Sequence, residues 1–162
     1  MLNYFCTELG FEIGNHTYSH KHYGKDVTKQ EIVKCSNVIE KITGSRPTVF
    51  RATGGITNAN IKKICKKQGM SLYYWTIDTE DWKSKNAKKV LKEALKAKDG
   101  DIILMHDIYP STAKAVKKLI PKLINRGYQF VTVSELVKYK SESAPKPGVQ
   151  YLDGDTIKYT SN

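Results

Sequence analysis

Short apolar runs alternate with amphipathic helical periods along most of the chain, and this alternation constrains the fold more than any other feature. Phe11 to Gly14 reads as a short strand, followed by a polar loop reaching about Asp26. Thr28 with Glu31 three residues on predicts a capping box. Ile32, Val33, Val38, Ile39 and Ile42 then supply an apolar helix face that Gly44 stops. The unit recurs: Thr48 to Arg51 is extended, and Asn58 caps a helix carrying Ile61, Ile64 and Cys65 that ends at Gly69. Leu72 to Ile77 is the next strand, Asn86 opens a helix through Val90, Leu91, Ala94 and Leu95, and Asp101 to Met105 is a strand apolar enough to be covered on both faces. Ser111 or Thr112 starts a helix in which Pro121 predicts a kink. Tyr128 to Val133 is the fifth strand, and Ser134 caps a terminal helix. Strand and helix in strict alternation predict an α/β fold with a parallel sheet, because a parallel crossover needs a helix-length connection. Barrel and open sheet both remain possible at this level.

The expected domain runs over residues 1–140. Residues 141–162 form a linker, SESAPKPG, and a tail that reads as a small hairpin turning at Asp153-Gly154 or as an extended segment. With 162 residues, 40% of them hydrophobic, the chain fits one globular domain and not a disordered or disulfide-dense one. No apolar run approaches the roughly 18 residues that span a bilayer. Met1 to Gly14 also lacks the basic and apolar regions of a signal peptide. Cys6, Cys35 and Cys65 form no CxxC pair and sit among apolar neighbours, so burial in the core is expected. The net charge of +11 would draw polyanions, but the lysines recur at helical spacing, which predicts solvated helix faces. No zinc-finger, homeodomain or aromatic RNA-binding signature accompanies them, so no nucleic-acid partner is expected.

Polar residues collect where four of the predicted strands end. After the first comes His16-Thr17-Tyr18-Ser19-His20, after the second Arg51-Ala52-Thr53-Gly54-Gly55, after the third Asp78-Thr79-Glu80-Asp81-Trp82, and after the fourth His106-Asp107. Loops at the carboxyl ends of parallel strands converge on one face, where catalytic and binding groups gather. His16 and His20 are four residues apart, a spacing that can present two imidazoles to one Zn²⁺. The glutamate of an HExxH motif is absent, and a locally hydrogen-bonded polar loop is the other reading. Asp78 and Asp81 suit loop caps as well as chemistry. His106 could be a satisfied core histidine; with Asp81 near, it reads as a carboxylate-oriented general acid.

GNHTYSH, VFRATGG, WTIDTEDW and IILMHD, followed by a helix and GYQFVTVSEL, resemble in order the second to fifth motifs of the polysaccharide deacetylases of carbohydrate esterase family 4. The resemblance covers about Gly10 to Val137. It implies a deformed (β/α) barrel that removes acetyl groups from N-acetylglucosamine polymers, peptidoglycan or chitin, by Zn²⁺-assisted hydrolysis at the cell wall. By the same resemblance His16 and His20 bind the metal, and Arg51 holds the catalytic-base aspartate. Asp81 tunes His106, and His106 protonates the leaving amine. Gly54 offers a backbone N–H to the oxyanion, Trp82 lines the sugar groove and Leu104 flanks the acetyl methyl.

Two departures from the family pattern stand out. Thr53 occupies a position that usually holds proline, and the stretch before His16 contains no aspartate to match the first motif, which supplies the base and the third metal ligand. At roughly 30 residues per β/α unit a seven-unit barrel needs about 210. The expectation is therefore a barrel lacking its first two units, with an open sheet edge that pairs two chains into a homodimer. Alternatives are a degenerate carbohydrate-binding domain, completion of the site by Asp153, Asp155 or a partner chain, and an O-acetyl xylan esterase.

Overall fold

The computed structural model describes residues 8–154. In chain order the elements are α1 (Lys29–Thr43), β1 (Val49–Phe50), α2 (Ala59–Lys67), β2 (Ser71–Tyr73), β3 (Ile77–Asp78), α3 (Asp81–Ser84), α4 (Ala87–Ala94), β4 (Ile103–Leu104), α5 (Pro110–Ile124), α6 (Val133–Ser141) and β5 (Gln150–Tyr151). The architecture is mixed α/β, and every strand pair among the described residues is parallel, as the alternation predicts. The residues form two compact units, one made of those up to Tyr74 together with those from Thr132 onward, the other of Trp75–Val131.

The first unit holds a three-stranded sheet in the order β1-β2-β5. Val49 pairs with Ser71 and Leu72 with Gln150, while Asn15 bridges to Phe50 on the far side of β1. α1 begins where the Thr28 hydroxyl accepts the Glu31 N–H, and it stops at Gly44, whose φ of +75° suits glycine. α2 begins the same way, the Asn58 side chain accepting the Ile61 N–H. Val27, Ile32, Phe50, Ile61, Ile64, Cys65, Met70 and Leu72 are buried together under the sheet. Burying each Ile- or Phe-sized side chain contributes about 1.5–3 kcal/mol, so this cluster is the main hold on the unit. Burial pushes the Cys65 thiol pKa up to about 12, as a core cysteine requires. Cys35 is only half-buried, and Cys6 lies outside the described residues.

In the second unit β3 pairs with β4, Ile77 opposite Ile103 and Asp78 opposite Leu104. Ala94 of α4 packs against Leu119 and Leu123 of α5, with Ile103 and Met105 closing the cluster. The helical lysines Lys88, Lys89, Lys92, Lys117, Lys118 and Lys122 are exposed, as is Lys96 in the turn after α4.

Several expectations need correction. Phe11 to Gly14 forms no strand, and only Asn15 bridges to β1. Leu72 to Ile77 splits into β2 and β3, because Tyr74 hydrogen-bonds to the Tyr151 carbonyl while Thr76 and Ile77 turn to that of Ile102. Tyr128 to Val133 is not a strand: Thr132 caps α6 in a full capping box with Glu135, so the chain turns into helix before a strand forms. Ser134 lies inside that helix, its N–H and hydroxyl held by the Glu12 carboxylate. The expected capping box at Thr28 is half present, since the Glu31 carboxylate goes to Ser19 instead. α5 starts earlier than expected, with Pro110 in its first turn, and it runs on through Pro121 to Ile124. Before the Asp153-Gly154 turn, β5 joins the sheet beside β2, and Tyr151 stacks on Tyr73 at 5.7 Å; the second arm of the expected hairpin lies outside the described residues.

Candidate active site

The loop after Asn15 is built around that one buried side chain. Asn15 Nδ2 donates to the Ile32 carbonyl and to Ser36 Oγ, both at 2.8 Å, and Oδ1 accepts the Thr17 N–H at 2.9 Å. Its backbone pairs with β1 through the Val49 carbonyl and the Arg51 N–H. Thr17 and His20 both take left-handed backbone conformations, φ +67° and +57°. Such conformations cost of order 1–3 kcal/mol each in a non-glycine residue and persist only where neighbours enforce them. The enforcing contacts are Thr17 Oγ1 to Thr53 Oγ1 at 3.2 Å and the Ser19 N–H and hydroxyl to Glu31. The Ser19 N–H in turn holds the Glu31 carboxyl below its ordinary pKa, against a smaller opposing effect of burial.

This loop brings His16 and His20 together, their ring centroids 4.9 Å apart and their planes at 64°. His16 Nδ1 lies 2.6 Å from the Arg51 carbonyl, which can only accept, so Nδ1 carries the hydrogen and Nε2 is the nitrogen suited to a metal. Two imidazoles so arranged fit two positions of a divalent transition-metal site. Among the described residues no three His, Cys, Asp or Glu side chains form a metal-binding group, and Asp155 lies outside them.

Arg51 is half-buried, and burial lowers its pKa. Its guanidinium has no hydrogen-bond or ion-pair partner among the described residues. Gly54 sits in the 3-10 turn Thr53–Gly55 at φ +61°, and a Cβ there would come within 2.8 Å of the Tyr23 ring. Only glycine fits that turn with Tyr23 in place.

In the second unit the Asp81 carboxylate is fully buried and accepts four hydrogen bonds. Oδ1 takes His106 Nδ1 at 2.7 Å and the Trp82 N–H at 2.9 Å; Oδ2 takes the His106 N–H at 2.6 Å and the Thr112 hydroxyl at 2.7 Å. Burial pushes the Asp81 carboxyl pKa up, but the ring, amide and hydroxyl donors together outweigh it and hold the group below its ordinary value. An ionised Asp81 accepts only, so His106 Nδ1 carries a hydrogen and Nε2 is the nitrogen that can exchange a proton. Glu80, at φ +46°, turns the chain from β3 into α3 and so brings Asp81 beneath His106. Leu104 is buried on β4, its carbonyl accepting the Thr79 hydroxyl, and Trp82 stands half exposed on α3.

Sequence reasoning found Asp81 and His106 but missed Asn15, Glu31 and Thr112, which hold the named residues in place. The polar Asn15 at a strand end was the available signal for the first. Thr112 carried no signal of its own, since a threonine near a helix start reads as a cap.

Fold and clusters define a class, the parallel α/β domains with polar groups where strands end. Within it, the chain belongs to the polysaccharide deacetylase family. Residues 6–73 match the family model described as polysaccharide deacetylase. The chain is 37% identical over 150 residues to the peptidoglycan-N-acetylglucosamine deacetylase PgdA of Listeria monocytogenes, covering 90% of this chain and 31% of that protein. The solved peptidoglycan deacetylase PdaC from Bacillus subtilis superposes with a TM-score of 0.80 at 35% identity, covering 86% of this chain and 70% of that one. A family 4 acetyl xylan esterase from Clostridium thermocellum, solved with a cobalt ion, gives 0.83 at 28% identity, covering 94% and 77%. The chain thus spans less than a third of the length of the curated relative PgdA.

Proposed function

We propose that this chain is a metal-dependent deacetylase that hydrolyses the N-acetyl groups of N-acetylglucosamine-containing cell-wall polysaccharide, with peptidoglycan ahead of chitin as substrate and Zn²⁺ as the metal. The observation that carries the reading is the buried Asp81 carboxylate holding both the ring and the backbone N–H of His106. A histidine so fixed is an oriented acid, and amide hydrolysis needs one because an amine leaves poorly without a proton. The peptidoglycan deacetylases PgdA and PdaC among its relatives support the substrate class.

His16, through Nε2, and His20 supply imidazole ligands. When bound, Zn²⁺ supplies Lewis acidity to the acetamide carbonyl and to the attacking water. Arg51, whose half-buried guanidinium has no partner among the described residues, would hold a base carboxylate that those residues do not themselves supply, and that base would take the water's proton. The water oxygen bonds to the carbonyl carbon, and the Gly54 N–H donates to the carbonyl oxygen as charge builds there. The carbon–nitrogen bond then breaks, His106 Nε2 gives its proton to the nitrogen, and acetate and a free amine leave. Asp81 stabilises the imidazolium before that transfer and keeps the ring in register after it. Leu104 flanks the acetyl methyl and Trp82 offers a face for the sugar ring.

The test is acetate release from an N-acetylated chito-oligosaccharide, from peptidoglycan and from acetylxylan, by the chain and its His16→Ala and His106→Ala variants. Release from the first two that falls at least about 100-fold in both folded variants fits the reading. Saccharide binding without release would establish the degenerate binding domain instead, and faster release from acetylxylan the O-acetyl esterase.

A further inference from the structure

Beside His106, inside the second unit, lies a cavity of about 590 Å³ whose charged lining is entirely positive. Lys85, Lys88 and Lys114 line it together with Tyr109 and Ser111. None of the three lysines forms an ion pair among the described residues, whereas Lys83 pairs with Glu80 and Lys96 with Glu93 on the same stretch of chain. Like charges crowded around one hollow repel each other, so an arrangement that leaves them unpaired favours an anion from outside. Lys85 holds its place through a left-handed backbone, φ +44°, and its Nζ stands 5.6 Å from the centre of the Tyr109 ring. The Ser111 hydroxyl, buried in the same wall, has no hydrogen-bond partner among the described residues. Tyr109 also meets the His106 ring edge-on at 6.2 Å, which puts the cavity one side chain away from the proposed acid.

We propose that this cavity is a subsite for a carboxylate carried by the glycan, and that it sets a preference for acidic over neutral N-acetylated strands. The inference rests on the deacetylase reading for the identity of the glycan. Muramic-acid-type sugars bear such a carboxylate on a lactyl ether where no peptide is amide-linked to it, and unsubstituted chito-oligosaccharides bear none. Lysines suit this role, because an ammonium on a flexible stem follows an anion without demanding one fixed geometry.

The experiment compares two N-acetylated oligosaccharides of equal length, one neutral and one with lactyl carboxylates, on the wild-type chain and on Lys85→Gln/Lys88→Gln/Lys114→Gln. Both KM for acetate release and Kd by calorimetry are measured for each pair. The wild type is expected to favour the acidic glycan by about tenfold, the size two or three exposed ion pairs together provide, and the triple variant to lose that ratio. Raising the salt to about 1 M is expected to collapse the wild-type ratio as well. An acidic-to-neutral ratio that is the same in wild type and variant overturns the proposal. If neither glycan releases acetate, the deacetylase reading fails, and the Kd ratio alone decides the subsite.

Discussion

Four donors converge on the Asp81 carboxylate, and two of them come from His106. Asp81→Asn keeps the shape but sets an amide against donors, so the ring loses its fixed tautomer. The expected loss in deacetylation rate is on the order of 10³-fold, with about 1–3 kcal/mol of stability lost in urea unfolding. Because the Asp81 pKa is lowered on folding, the stability it contributes is complete above the ordinary aspartate value of about 4 and disappears as pH falls through the folded value. The stability gap between wild type and Asp81→Asn is therefore expected to close as urea unfolding is taken from neutral pH to about pH 2; a constant gap would show that the carboxylate is not depressed. Asp81 and His106 were legible in the sequence because each follows an apolar run. Asn15 and Thr112 were not, because a hydrogen bond between residues 21 or 31 positions apart leaves no periodicity to read.

Helices announced themselves better than strands. Thr28, Asn58 and Asn86 cap helices where the sequence places them, since a cap is a local bond between near neighbours. Strands here are two or three residues long and exist only by pairing with distant segments, so their extents could not be read from one stretch. That is why β5 was missed: Gln150 and Tyr151 become a strand only beside β2. A chain ending at residue 141 is accordingly expected to unfold at lower urea, having lost that pairing and the Tyr73–Tyr151 stack; an unchanged midpoint would make the tail an appendage. α5 carries the opposite conflict, an exposed proline inside a continuous helix. Pro121→Ala restores a backbone donor and removes the ring clash, and is expected to stabilise the chain by about 1–3 kcal/mol, read as a higher urea midpoint.

At the scale of the whole molecule, the order of four motifs along the chain identified the family. Each motif alone had an ordinary structural reading, but their sequence and their positions at strand ends did not. The strained loop that pairs His16 with His20, and the buried bonds that fix His106, are where local propensity is overridden, as expected at a functional site. The proposed deacetylation depends on a metal held by the His16–His20 pair. The direct measurement strips the chain with a chelator, titrates Zn²⁺ back and follows acetate release from an N-acetylated chito-oligosaccharide, in wild type and His16→Ala. The expected result is no release when stripped, a saturable return with Zn²⁺, and a return in His16→Ala that needs at least about tenfold more metal. Release at full rate in excess chelator would contradict it.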